Sequence, residues 1–266
     1  MKSPLHAIAL SYAAIAVALS TCFAAGTFKP DHSLLDAILK DYVKNGVVNY
    51  KAMKADDRLK QYIEYIKNID TASIAPSERL AFWINAYNAW TLKVVVDNYP
   101  LKSIKDLGAD LVIGTIFKST IWDKDLVTMN GKTKMTLNEI ENDIIREYRD
   151  ARIHSSIVCA AKSCPPLRSE AYTGDKLAEQ MEEQFRKFLA DTKKNQFDFE
   201  KKQLRLSNIF NWFEGDFKKD IGFGKQKGTV VKFIARYVPK DIAEKLLALE
   251  KDLDIDHLDY DWSLNE

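Results

Sequence analysis

The chain has 266 residues, with 39 Lys and Arg against 38 Asp and Glu, and is 46% hydrophobic and 29% charged, which is apolar mass for a core and charge for a soluble surface. That composition excludes disorder and a polytopic membrane protein. A net charge of +1 gives no general attraction to nucleic acid, whose binding domains are basic with clustered Lys and Arg, so no nucleic-acid partner is expected.

At the N-terminus, Lys2 and His6 precede an uncharged run from Ala7 to Leu19, and the small residues Ser20, Thr21, Ala24 and Ala25 follow. This is the layout of a secretory signal peptide, and the run is shorter than the roughly 20 residues a spanning helix needs. The expected division is a signal over 1–25 and a single domain over 26–266, periplasmic or secreted, with no stable membrane span after cleavage. The alternative is that Leu19-Ser-Thr-Cys22 resembles a bacterial lipoprotein signal with Cys22 lipidated, although Thr21 departs from the usual Gly, Ala or Ser. Removing residues 1–25 takes away Lys2 as the one charged side chain and leaves 38 basic against 38 acidic groups.

Beyond a short extended stretch at Thr27–His32, Leu34, Leu35, Ile38, Leu39 and Val43 predict a helix over Ser33–Lys44 that stops at Asn45-Gly46. A second helix is predicted over Tyr50–Lys67, and Pro76-Ser-Glu opens a third. From Leu80 to Val96 that third helix is apolar on nearly every side, which belongs in the middle of a core. Lys124–Leu137 predicts a hairpin around Asn130-Gly131, and Thr136–Tyr148 a helix. Arg152–Val158 reads as a short β-branched strand, Lys176–Leu189 as an amphipathic helix, and Gln196–Leu206 as a second hairpin. Helices follow over Ile209–Phe217, Val230–Tyr237 and Ile242–Leu249, then an extended segment from Leu253 with a bulge near His257. The class is α+β, helix-rich, with a small, mainly antiparallel sheet and a buried central helix.

Chemistry concentrates in Arg152-Ile-His154-Ser-Ser-Ile-Val-Cys159-Ala-Ala-Lys-Ser-Cys164-Pro-Pro166. A Cys and His pair can make a thiolate that attacks an acyl carbon. On a straight strand, His154 and Cys159 lie roughly 16 Å apart with side chains on opposite faces, so the base for Cys159 is either His154 across a sharp bend or His257 from elsewhere. A reversal over Ala160–Ser163 instead sets Cys164 beside Cys159, the geometry a disulfide needs in an oxidising compartment. Asn85 and Asn88 share a face of the central helix. They mark either a buried structural network or a polar site, where one could orient an imidazole. No His is spaced as a zinc ligand, and the Asp-rich run Asp252–Trp262 lacks the Gly and the terminal Glu of a calcium loop. No metal or cofactor is expected.

Several blocks together resemble the family known as DUF547: Leu80-Ala-Phe-Trp-Ile-Asn-Ala-Tyr-Asn-Ala89, Tyr99-Pro100 with Ser103-Ile104, and Leu137-Asn-Glu-Ile-Glu141. Arg152-Ile-His154, Cys159–Pro166, Asn208–Phe213 and Tyr260–Asn265 continue it over nearly the whole of 26–266. Bacterial members of the family it resembles are often exported, which implies export here, and His-X-X-X-X-Cys is part of the family's hallmark. Some members place Ser where Cys164 stands, which moves weight from a disulfide toward a role for Cys159 in a site. Two readings follow. One is a thiol site with Cys159 as nucleophile, His154 or His257 as base and Asn85 or Asn88 as orienting amide, serving acyl transfer or amide hydrolysis. The other is a non-catalytic envelope domain with Cys159 and Cys164 bridged. The ligand in either is a small molecule, peptide or polymer.

Overall fold

In the computed structural model, Leu35, Ile38 and Leu39 fall on the buried face of α1 (Ser33–Tyr42). The model describes residues 26–108, 120–219 and 228–266, so the expected signal over 1–25, Cys22 included, lies outside the described residues. Val43 and Lys44, expected to end that helix, leave it as β1 and pair antiparallel with β2 (Val47–Val48). The turn between them holds Asn45 and Gly46 at positive φ, and a Cβ on Gly46 would lie 2.4 Å from that of Pro166. Glycine is needed there both for its backbone and for the close approach of the loop that follows the cysteines.

The expected single helix over 50–67 is two, α2 (Tyr50–Met53) and α3 (Arg58–Lys67). The break falls at Asp56, whose carboxylate accepts from the Arg58 N–H at 2.9 Å and from the Tyr42 hydroxyl at 2.7 Å. A short acidic side chain that bonds nearby backbone competes with the helix ladder. Helix α4 (Pro76–Asn98) opens on proline at its first turn and is buried from Leu80 to Val95 on nearly all sides, with α2 and α3 packed against it.

Asn130 and Gly131 turn the hairpin of β3 (Val127–Met129) and β4 (Thr133–Met135), both at positive φ. A capping box follows: Thr136 Oγ1 accepts from Glu139 N–H at 3.0 Å, and Glu139 Oε2 accepts from Thr136 N–H at 2.7 Å. It starts α5 (Leu137–Glu139), which widens into a π-helical stretch over Ile140–Ile145 and tightens into a 3-10 turn at Arg146–Tyr148.

The predicted strand at Arg152–Val158 is not a strand. Residues Ile153–Ser156 form one helical turn, α6. Asp150 accepts from the Arg152 N–H at 3.0 Å, and the Ser155 and Ser156 hydroxyls both donate to Arg152 O. These local bonds curl the segment, and its β-branched residues fill core positions instead of a ladder.

Helix α7 (Leu177–Ala190) precedes the hairpin of β5 (Gln196–Asp198) and β6 (Gln203–Leu206). Ile209–Phe217, expected as one helix, is α8 (Ile209–Trp212) and α9 (Glu214–Lys219); α10 (Val230–Ala235) and α11 (Lys240–Leu249) follow. The last strand, β7 (Asp254–His257), lies parallel to β6, with Leu206 opposite His257. There is no bulge: the change of parity at His257 is where the strand ends.

The molecule is α+β, as composition and pattern require, but its strands make three small sheets among the described residues, and the β6–β7 pair is parallel. Apolar side chains gather in two clusters. One is centred on α4, and the other on Phe185, Phe188, Phe210, Phe217 and Phe233. Helix α7 gives Met181 to the first and Phe185 to the second, while Tyr260 packs on both. Among the described residues no helix is long and apolar enough to cross a membrane.

Candidate functional site

The two asparagines of α4 hold backbone. Asn85 donates to Tyr172 O at 2.8 Å and accepts from Tyr172 N–H at 2.9 Å. One turn on, Asn88 donates to Ser156 O at 2.8 Å and accepts from Val158 N–H at 2.9 Å. Asn88 therefore fixes the segment that joins His154 to Cys159, and Asn85 fixes a different loop. Both are buried networks of the kind a polar residue inside an apolar helix requires.

Cys159 ends that segment. Ala160 follows at φ 60°, and the reversal brings Cys164 back so that the Cys159 N–H donates to Cys164 Sγ at 2.9 Å. Both thiols are free, Cys159 half-buried and Cys164 buried. The chain's C-terminus straps this loop. Lys162 N–H donates to Ser263 O, Asn265 N–H to Ala160 O, and Asp261 N–H to Ser163 Oγ. The strap sets the Tyr260 hydroxyl 3.3 Å from Cys159 Sγ.

This environment drives the two thiols apart. A hydrogen bond from the Cys164 thiol lowers the Cys159 pKa against the effect of burial, and the Tyr260 hydroxyl and the Ala161 N–H add to it. Burial and the neighbouring Cys159 push Cys164 well above the ordinary thiol range. Of the pair, Cys159 is the one that ionises.

His154, delivered by α6, is buried, and its Nε2 lies 3.0 Å from Asp216 Oδ2 on α9. Its ring stacks on Phe213 with centroids 3.9 Å apart. Arg146 donates to both oxygens of Asp216, at 2.7 and 3.1 Å. Burial lowers the His154 pKa, and the Asp216 bond only partly opposes it, so the imidazole is neutral at pH 7. Burial would raise Asp216, but its hydrogen bonds from His154 and Arg146 prevail and hold it well below the usual carboxylate range. An ionised carboxylate thus orients a neutral ring.

Glu141 lies in the π-helical stretch. It is buried and accepts from the Tyr87 hydroxyl at 3.2 Å. Burial raises its pKa to about 7, the Tyr87 bond only moderating the effect.

Cys159, Cys164, His154, Glu141 and Tyr260 all border one cavity of about 160 Å³, whose other walls include Trp122, Trp212, Phe213 and Trp262. The cavity lies at the seam of the two apolar clusters. The helical turn and loop thus put His154 and Cys159 on one cavity, where a straight strand would have separated them. His257 ends β7 and does not line this cavity; nor does Asn85 or Asn88, although Asn88 bonds Val158 of its wall. Asp216, Glu141 and Tyr260 were not singled out from sequence. Glu141 and Tyr260 do fall inside the motif blocks, but nothing local to Asp216 marks it. Among the described residues no group of three or more His, Cys, Asp or Glu side chains is placed to hold a metal ion.

No curated protein and no solved structure matches the chain. The region that does match a family model is narrower than the resemblance in sequence, and it contains Glu141, His154 and both cysteines but not Asp216 or Tyr260. Residues 71–189 match the family described as protein of unknown function, DUF547.

Proposed function

We propose that the protein is a thiol-dependent acyl hydrolase or acyltransferase with Cys159 as its nucleophile. The observation that carries the reading is a free thiol of lowered pKa sharing one cavity with an Asp216-held imidazole and a buried carboxyl group. The roles follow from the separated pKa values. The Cys159 thiolate adds to the acyl carbon. The bond to the leaving oxygen or nitrogen then breaks as that atom takes the proton of Glu141, which is about half protonated at pH 7. In the second half, neutral His154 takes a proton from water, and the hydroxide displaces the thiolate from the thioester. The proton on His154 returns to Glu141. The sum is acyl compound plus water giving carboxylic acid plus alcohol or amine; a second nucleophile in place of water gives transfer.

Export through residues 1–25 belongs to this reading, and sequencing of the mature N-terminus, expected to begin near Gly26, checks it.

The test is the pH dependence of alkylation by iodoacetamide. Cys159 is expected to label at neutral pH, faster than a free thiol with its ordinary pKa near 8.5. Cys159→Ser should abolish labelling, and Cys164→Ala should leave it present but with its pH midpoint moved up, because the largest stabilising donor is gone. Tyr260→Phe should move it up less. Slow labelling with an unshifted midpoint, or two thiols lost to a bridge in the purified protein, would overturn the nucleophile and favour a non-catalytic binding domain.

A further inference from the structure

The aromatic rings at the mouth of the cavity form a group in which Trp122, Trp262 and Tyr260 pack against the apolar clusters and Trp212 belongs to neither. Trp122, Trp212 and Trp262 come from distant parts of the chain. Trp262 meets Trp122 at 5.8 Å edge-on and Trp212 at 5.8 Å nearly parallel. Tyr260 fills the angle between Trp212 and Trp262, yet Trp212 stays 47% exposed. An indole held in place by other rings but left in water offers a preordered face on which a ligand can stack.

Three features define that ligand. A ring held between two parallel rings needs faces about 7 Å apart, so nothing enters between Trp212 and Trp262 and the ligand lies on the open indole face. The Lys105 ammonium stands 4.6 Å from the Trp262 centroid, occupying the position a cationic ligand would take and repelling it. The cavity, about 160 Å³, is half the low end of the range for drug-sized ligands, so it admits a small substituent and not a whole ring. A neutral or acidic ring with an apolar face against the indole, and a small acyl group inside, satisfies all three.

We propose that the substrate is an acylated glycan: a pyranose ring stacks on Trp212 while its ester- or amide-linked acyl group enters the cavity. This rests on the acyl-transfer reading above. The bond broken joins the acyl carbon to the sugar's oxygen or nitrogen. The acyl group passes to Cys159 sulfur, the sugar leaves with the proton of Glu141, and water releases the carboxylic acid.

The probes are tri-N-acetylchitotriose, which carries acyl groups, and cellotriose, which does not. Tri-N-acetylchitotriose should quench the tryptophan fluorescence of Cys159→Ser protein saturably. It should also slow iodoacetamide labelling of wild-type Cys159 at least about fivefold, while cellotriose quenches without protecting. A folded Trp212→Ala should raise the dissociation constant about tenfold, the scale of losing an interface tryptophan, and Trp212→Phe should restore most of it. Absence of saturable quenching by both sugars, an unchanged constant in Trp212→Ala, or quenching by the acylated sugar without protection overturns the proposal. A thiol that labels fast while no sugar binds sinks the glycan alone. Sugar binding beside an inert thiol sinks the nucleophile.

Discussion

At the scale of single residues, two thiols of identical chemistry become one acid and one donor. Cys164 is enclosed and keeps its proton, and the proton it keeps stabilises the charge on Cys159. Glu141 shows the opposite use of burial. Its folded-state pKa is about 7 against an ordinary 4.5, so the fold prefers the neutral acid. Between these values the native state holds more protons than the unfolded chain, and stability must fall as the pH rises through that window, by about 3 kcal/mol in full. Above pH 7 the loss is complete, and below 4.5 it is absent. Glu141→Gln keeps an acceptor for Tyr87 and removes the ionisation, so it should be more stable than wild type at pH 8 and nearly equal at pH 4. Urea unfolding at the two pH values measures it, and equal slopes of stability against pH for the two proteins would show that Glu141 is solvated. The same substitution removes the proposed proton donor, so a stabilised protein should also be a less active one.

At the scale of elements, the stretch from His154 to Cys159 explains both what the sequence pattern gave away and what it hid. Hairpins around Asn130-Gly131 and within 196–206 were legible because turn residues and period-two alternation are local signals, and α4 was legible because its apolar run is long. Arg152–Val158 was misread because β-branched residues also suit a buried turn, and what curls the segment is Asp150 and two serine hydroxyls bonding to backbone. The role of Asn88 was equally hidden, since its partners at Ser156 and Val158 lie 68 and 70 residues away. Asn85 and Asn88 make the same two bonds to different loops, which gives a paired test. Replacing either with Ala leaves buried backbone groups unpaired and should cost about 1–3 kcal/mol. Only Asn88→Ala should also shift the pH midpoint of Cys159 alkylation, because only Asn88 anchors the segment that carries the thiol. An equal shift in Asn85→Ala would mean that the effect is general loosening and not positioning.

At the scale of the whole molecule, the cavity exists because three distant parts of the chain meet at the seam between two apolar clusters. Glu141 and His154 arrive from the middle of the chain, Trp212 from α8 with Asp216 on α9 holding His154 from behind, and Tyr260 and Trp262 from the C-terminal strap. Such convergence leaves no trace in spacing, and for that reason Asp216 was invisible in the sequence, while His257 drew notice although it is Tyr260, three residues on, that lines the cavity. Besides the bonds of Asp261 and Ser263 to the cysteine loop, the strap is fastened at Asn265. Asn265 accepts from the Tyr50 hydroxyl at 2.7 Å through its side chain and donates to Gly46 O at 3.1 Å, while its backbone bonds Val48 and Ala160. It thereby joins the first hairpin, the second short helix and the cysteine loop. Asn265→Ala leaves the buried Tyr50 hydroxyl and the Gly46 carbonyl without these partners, a loss of about 2 kcal/mol or more. Because the strap also carries Tyr260, the same change should raise the pH midpoint of Cys159 alkylation in the folded protein, whereas Asp259→Ala, exposed and outside the clasp, should move neither stability nor midpoint. If Asn265→Ala lowers the melting temperature but leaves the thiol untouched, the strap closes the fold without tuning the site, and Tyr260 is held by its packing on the two clusters alone.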